Sequence, residues 1–266
     1  MKKIRVKCPA KINLNLKVLG KRPDGFHNIE SIMQTISLYD YLDICAEESG
    51  ENIITLSGNS PQIPYNEHNL VYKAVKLYLS EARLSNKKIT INIEKNIPVA
   101  AGLAGGSTDA AGTLYGLNKI FKCFDNEKLH LLCAALGSDL NVCLMGGRIL
   151  AKGRGEIIEP YKFEPFNLSL IKPIGLGISA KEAYTKFSYK IENNIDVERR
   201  SEFENDLEWA IIKDYPQLLK IKSEYMNSVM TGSGSTYFII GKEFSPQAGF
   251  QVWNNLEAVP DGVCEY

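Results

Sequence analysis

Residues 98–112 read Pro98-Val99-Ala100-Ala101-Gly102-Leu103-Ala104-Gly105-Gly106-Ser107-Thr108-Asp109-Ala110-Ala111-Gly112. An alternating run, Ile89-Thr90-Ile91-Asn92-Ile93, comes just before and predicts a strand. A helical pattern from Ala110 to Ile120 follows. A loop of small residues therefore joins a strand to the start of a helix. Glycine admits positive φ and lets a ligand approach the backbone. Free N–H groups at a helix start, with the positive end of the dipole, make an anion site. A phosphate cradle is one reading of this loop. A tight turn with close helix packing is the other, and the loop alone does not choose. No Lys follows Gly106, so it is not a Walker A loop, and it does not spell G-x-G-x-x-G. Ser107, Thr108 and Asp109 are candidates to cap the helix.

Upstream, Lys11 to Leu19 alternates strictly, with Ile12, Leu14, Leu16 and Val18 facing one way and Lys11, Asn13, Asn15 and Lys17 the other. This predicts a half-buried strand with a solvated polar side, or a strand whose Lys points into a cleft. Gly20 to Gly25 is a turn with Pro23-Asp24-Gly25 at its tip, and Phe26-His27 come directly after. An aromatic and an imidazole there could hold a ligand or cap a hairpin. Tyr39 to Ile44 predicts another strand. Asn69 opens a helix whose stripe is Val71, Ala74, Val75, Tyr78 and Leu79.

Downstream, Asp125 or Asn126 caps a helix that stops at Gly137. Ser138-Asp139 follows at once, where an Asp commonly caps the next helix. Arg148 to Ala151 and Leu168 to Ile171 predict strands, and a helix begins at Ser179. Residues 188–203 read as a charged surface connection. Asn205-Asp206-Leu207-Glu208 begins a helix, and Pro216 starts a new one. A second glycine loop, Thr231-Gly232-Ser233-Gly234, precedes the strand Tyr237 to Ile240, and Phe250 to Leu256 predicts a helix.

With 266 residues the chain suits one large or two medium domains. Its 44% hydrophobic and 23% charged residues are those of a globular protein with a sizeable core. Lys+Arg and Asp+Glu balance at 31 each, which disfavours a nucleic-acid partner. No apolar run approaches the roughly 18–20 residues of a membrane span. Six cysteines without a C-x-x-C pair read as free thiols in a reducing, cytoplasmic compartment.

Taken in order, Pro9-Ala10-Lys11-x-Asn13, Asp24-Gly25-Phe26-His27, Asn69-Leu70-Val71, the 98–107 loop, Gly137-Ser138-Asp139, Asn205 to Glu208 and Thr231 to Gly234 resemble the GHMP kinase superfamily. The opening motif together with Asp24 to His27 resembles, within it, the branch that phosphorylates a cytidine-diphosphate-linked methylerythritol. The resemblance implies an α+β fold of two domains. The first is like ribosomal protein S5 domain 2 and the second is ferredoxin-like, with the active site in the cleft between them. The turn at Gly153 to Gly155 suggests a boundary between residues 1–155 and 156–266.

By the same resemblance the reaction transfers the γ-phosphoryl of ATP, with Mg²⁺, to the 2-hydroxyl of the methylerythritol. Lys11 and Asp139 match the catalytic pair, Asp139 receiving or orienting the hydroxyl proton and Lys11 making the hydroxyl more acidic. Pro98, Val99, Ala100, Ala101, Gly102, Leu103, Ala104, Gly105, Gly106 and Ser107 would wrap the ATP phosphates. Asn69 and Lys95 would lie around the adenosine, and Ser107 is the one candidate contact to Mg²⁺. Phe26 and His27 match the cytosine contacts, Tyr184 a second stacking ring, and Asn13 a substrate contact. The expected state is a monomer or weak homodimer, without nucleic-acid or membrane partners. Three positions depart from the family's pattern: Asn141, Ala180 and Ser235. A homoserine or mevalonate type of small-alcohol kinase, or a sensor that binds nucleotide without turnover, stays open on the residues themselves.

Overall fold

A computed structural model describes all 266 residues. In chain order the elements are β1 (Lys2–Asn13), β2 (Lys17–Lys21), β3 (His27–Glu48), β4 (Ile53–Gly58), α1 (Leu70–Glu81), β5 (Lys87–Glu94), α2 (Gly105–Phe121), α3 (Asn126–Leu136) and α4 (Leu140–Met145). Then come β6 (Arg148–Gly153), β7 (Ile157–Pro160), β8 (Asn167–Pro173), α5 (Ala180–Glu192), α6 (Asp206–Ile211), α7 (Pro216–Glu224), β9 (Val229–Met230), β10 (Tyr237–Ile240), β11 (Phe250–Glu257) and β12 (Cys264–Glu265). The first sheet runs β12-β1-β3-β5-β4, with β2 and β6 on the far half of β3 and β7 on β6. The second runs β11-β8-β10-β9. This is the expected α+β architecture. No helix is long and apolar enough to cross a membrane.

Local rules set most helix ends. Asn69 accepts the Val71 N–H, Asp125 the Lys128 N–H and Ser179 the Glu182 N–H, each an N-cap that satisfies an orphan donor. Pro216 is the first residue of α7. One apolar core, with Val6, Ile44, Val75, Ile91 and Leu114, fills the space between the first sheet and α1–α4. Another, with Phe187, Trp209, Leu218 and Tyr237, lies beneath α5–α7. A third, with Ile12, Ile36, Leu168 and Phe238, joins the two sheets. Fully burying one such side chain contributes about 1.5–3 kcal/mol, so the third core favours the packing of one sheet on the other.

Several sequence expectations are corrected. Lys11 to Leu19 is not one strand: β1 ends at Asn13 and β2 begins at Lys17. Nor is its polar side solvated, because Lys11 and Asn13 are both buried. Tyr39 to Ile44 is part of the second half of a 22-residue strand, β3. Its pairing with β1 slips between Pro9 and Ala10, which face Tyr39 and Ile36. The bulge moves the buried face from Ile29, Ser31 and Met33 to Leu38, Asp40, Leu42 and Ile44, and so hides the period-two pattern. Phe250 to Leu256 is strand β11, stabilised by pairing with β8, where local pattern suggested a helix. Helix α5 continues to Glu192 and a 3-10 turn covers Val197–Glu202, so 188–203 is largely structured. The 155/156 boundary falls inside the β6–β7 hairpin, and β12 returns to pair with β1. The first sheet thus reaches Pro160 and takes in the last strand.

Candidate active site

The 98–107 loop takes left-handed backbone at Ala100 (φ 52°), Gly102 (φ 75°) and Ala104 (φ 58°), and α2 starts at Gly105. Ala104 holds the N-cap position without a side-chain bond. Ser107, Thr108 and Asp109 therefore lie inside the first turns and cap nothing. The Thr108 N–H makes the first bond of the helix, to Ala104 O at 2.9 Å. The N–H groups of Gly105, Gly106 and Ser107 precede it and have no partner within the helix. A Cβ on Gly106 would meet no protein atom within 4 Å. Its smallness serves open space, as expected of a backbone that a ligand approaches closely.

Two cavities meet at this loop. One of about 360 Å³ is lined by Asn69, Lys95 and every residue from Pro98 to Ser107. The other, of about 780 Å³, is lined by Lys11, Asn13, Phe26, His27, Asp139 and Tyr184, among others. Gly102, Ala104 and Ser107 belong to both walls. The fold thus sorts the sequence candidates into two groups and joins them through three loop residues.

Lys11 sits at that junction. Its ammonium donates to Asn13 Oδ1 at 2.7 Å and Gly102 O at 3.2 Å, and lies 3.5 Å from Asp139 Oδ2. Asp139 precedes α4, but its side chain makes no capping bond. Its carboxylate is one-third exposed and faces the cleft beside Lys11, so the capping alternative is not realised. The Asn13 amide also donates to Ser31 Oγ at 2.8 Å, which fixes its orientation.

Elsewhere on the wall of the large cavity, His27 stacks on Tyr184 with ring centroids 5.0 Å apart and planes 18° from parallel. His27 Nε2 lies 2.8 Å from Ser188 Oγ, one turn further along α5. Burial, helped by the nearby Lys21, holds the imidazole below its ordinary pKa of 6.5, so it is neutral near pH 7. Phe26 is half exposed, with the Arg154 guanidinium 4.9 Å over its ring. An aromatic face and a neutral hydrogen-bonding ring on the wall of a cleft suit a heterocyclic base.

The two outermost candidates behave differently from their neighbours. Asn69 spends both halves of its amide on protein, accepting from Val71 N–H at 2.9 Å and donating to Pro64 O at 2.6 Å. Lys95 turns its ammonium inward, to Asp40 and to Asp109 Oδ2 at 2.8 Å. Burial alone would lower this ammonium's pKa, but Asp109 and Asp40 raise it. Burial pushes the Asp109 carboxyl up to about 7 against the pull of Lys95. Asp40 Oδ1 accepts the Asn96 and Ile97 N–H groups at 2.6 and 2.8 Å, so the trio ties the strand-to-loop connection to α2. Any contact from Lys95 to a nucleotide would be limited to its outer atoms.

Sequence reasoning did not single out Ser188, Arg154 or Thr231 as site residues. Only Thr231 carried a signal, as the first residue of the second glycine loop. The three departures each have a defined place in the fold. Asn141 is buried beside His130 Nδ1 at 3.1 Å, Ala180 opens α5 behind its Ser179 cap, and Ser235 Oγ donates to Leu176 O at 2.6 Å. No group of three or more His, Cys, Asp or Glu side chains is placed to hold a metal ion.

Residues 69–147 match the GHMP kinases N terminal domain family. A 4-diphosphocytidyl-2-C-methyl-D-erythritol kinase of Bacillus cereus (strain B4264) is 37% identical over 282 residues, 99% of this chain and 94% of its own. One from Clostridium perfringens is 40% identical, covering 88% of each chain. The chain belongs to the 4-diphosphocytidyl-2-C-methyl-D-erythritol kinase family. A crystal structure of a kinase of this family superposes with a TM-score of 0.76 at 28% identity, over 96% of this chain and 100% of the other. Homoserine kinase from Cytophaga hutchinsonii gives a TM-score of 0.72 at 16% identity, over 100% and 98% of the two chains. At that identity it shows a shared GHMP kinase fold and nothing about substrate.

Proposed function

We propose that the larger cavity holds 4-diphosphocytidyl-2-C-methyl-D-erythritol and the smaller one ATP, and that Lys11 and Asp139 act on the 2-hydroxyl where the two meet. The reaction is the ATP-dependent phosphorylation of non-mevalonate isoprenoid precursor synthesis, giving the 2-phosphate and ADP. One observation carries the assignment of roles: the Lys11 ammonium bonds Gly102 O, a residue common to both cavities, and has the Asp139 carboxylate beside it.

Phosphoryl transfer is mostly positioning and charge neutralisation. Asp139 receives the proton of the 2-hydroxyl as its oxygen bonds the γ-phosphorus, and the bond from that phosphorus to the β,γ-bridging oxygen breaks to leave ADP. Lys11, held by Asn13 and Gly102, stabilises the negative charge that develops on the attacking oxygen. The N–H groups of Gly105, Gly106 and Ser107 receive the phosphate oxygens at the positive end of α2. The Ser107 hydroxyl, in both cavity walls, is the group of this chain that would meet Mg²⁺ carried in by the nucleotide, which would supply further charge neutralisation. Phe26, His27 and Tyr184 hold the cytosine, and the cavity beside Asn69 and Lys95 takes the adenosine. All these residues come from one chain, so a cytoplasmic monomer or weak homodimer would carry a complete site.

A coupled ADP assay with Mg²⁺ tests the reading. ADP release should depend on 4-diphosphocytidyl-2-C-methyl-D-erythritol and stay at background with homoserine or mevalonate. The reverse pattern would overturn the substrate assignment.

A further inference from the structure

Asn205-Asp206-Leu207-Glu208 is a motif to which the mechanism gives no role. Asp206 and Glu208 are anchors: the first accepts the Val18 N–H at 2.6 Å and pairs with Arg200, the second accepts the Met230 N–H at 3.0 Å and meets Lys222 at 3.2 Å. Asn205 differs. It is fully buried, its Oδ1 accepts the Leu207 N–H at 2.9 Å, and its Nδ2 donates to Met230 O at 2.6 Å and Gly232 O at 2.8 Å. These partners fix which way the amide points.

The carbonyls it holds are the last of β9 and one within the second glycine loop, on either side of Thr231. Thr231 Oγ1 in that loop accepts the Asn13 N–H at 3.0 Å and donates to Gly102 O at 3.2 Å, the same oxygen that receives the Lys11 ammonium. The two glycine loops touch backbone to backbone. A Cβ on Gly102 would lie 2.1 Å from Thr231 O, and one on Gly232 would lie 3.4 Å from Lys11 Nζ. The backbone around Asn205 is pinned as well. Leu16 N–H donates to Glu204 O at 2.9 Å and Asp206 N–H to Leu16 O at 2.8 Å, just beyond the end of β1.

We propose that Asn205 is a positioning residue for phosphoryl transfer: its side-chain amide holds the Thr231–Gly232 loop against Gly102 and so keeps the Lys11 ammonium beside Asp139. The proposal rests on Lys11 and Asp139 being the reacting pair. A displacement of about 1 Å at a reacting centre costs about 10²-fold in rate, so a loop released at this junction lowers turnover more than binding.

Asn205→Asp tests it, because Asp keeps the capping acceptor of α6 and replaces both donors to the loop. The expected result is a fall of about tenfold or more in kcat with KM for ATP and for 4-diphosphocytidyl-2-C-methyl-D-erythritol each within about threefold. Thr231→Val cuts the same connection one link further on and should show the same split. The double variant should be no slower than the slower single one, since the two losses share a path. A kcat within about twofold of wild type in Asn205→Asp, a loss confined to KM, or losses that multiply in the double variant would overturn the proposal. If Asn205→Asp does not fold, Thr231→Val decides alone by the same criteria. Wild-type protein that releases no ADP would overturn the function itself and this proposal with it. Normal wild-type turnover with an unaffected Asn205→Asp overturns only the positioning role.

Discussion

Two lysines touch the glycine loop, one on each side of it, and their ammonium-bearing side chains are equally hidden, each about 4% exposed. Lys95, beneath the loop, has two carboxylates in contact and both are buried. Lys11, on the cleft side, has one carboxylate 3.5 Å away that water still reaches, an amide oxygen and a backbone carbonyl. Both partners of the Lys95 ammonium are acidic groups, whereas two of the three around Lys11 are neutral oxygens. A buried cation whose partners are acidic side chains of the protein itself is held for structure, because its charge is already spent on them. One whose partners are mostly neutral oxygens keeps charge to offer a ligand. The contrast bears on two residues that sequence reasoning both placed in the site, Lys11 in catalysis and Lys95 around the adenosine.

The largest effect should come from the acid that faces Lys11. Asp139→Asn should lower kcat by about 10²–10⁴ while KM for both substrates stays within about tenfold. Steady-state kinetics read this directly, and a kcat near wild type would remove Asp139 from the chemistry and with it the functional half of the contrast.

Next come the lysines themselves. Lys11→Met should lower kcat by about 10²–10³ with little loss of stability, since Asp139 remains hydrated. Lys95→Met should do the opposite. It leaves Asp40 and Asp109 buried without their cation, at a cost of about 3–5 kcal/mol, which is roughly 10 °C in Tm. Thermal melts beside kinetics check both, and equal Tm losses in the two variants would break the distinction.

The smallest effect lies in pH. The folded-state pKa of Asp109, about 7, is above its ordinary 3.8 because of burial. Its contribution to stability is therefore present in full below the ordinary value and is lost as pH rises through about 7. The Tm of wild type relative to Asp109→Asn should accordingly fall between pH 5 and 8. A difference independent of pH would show that Lys95 keeps Asp109 ionised throughout, which would sharpen the reading of that trio as a fixed ion cluster.

Much of the site could be read from local pattern. Residues 89–120 predict a strand, a small-residue loop and a helix, and all three form. The caps at Asn69, Asp125 and Ser179 and the start at Pro216 also follow from side chains that act within three residues of themselves. Other features had no local signature. The bulge opposite Pro9 and Ala10 reverses the inward face of β3, and β11 has helical spacing but a strand partner. The burial of Lys11 and Asn13 comes from the two glycine loops, which lie far away in sequence.

By itself, then, the sequence determined the element types around the 98–107 loop, the order of motifs that places the chain among the GHMP kinases, and the identity of the candidate pair Lys11 and Asp139. Only the tertiary structure decided that these two meet, that Lys95 turns away from the cleft, and that Asn205 reaches the loop beside Lys11. Caps, turns and periodicity are energies of neighbours in the chain. The environment of a charge is set by what packs against it, and for Lys95 that means Asp40, 55 positions away, as well as Asp109, 14 away.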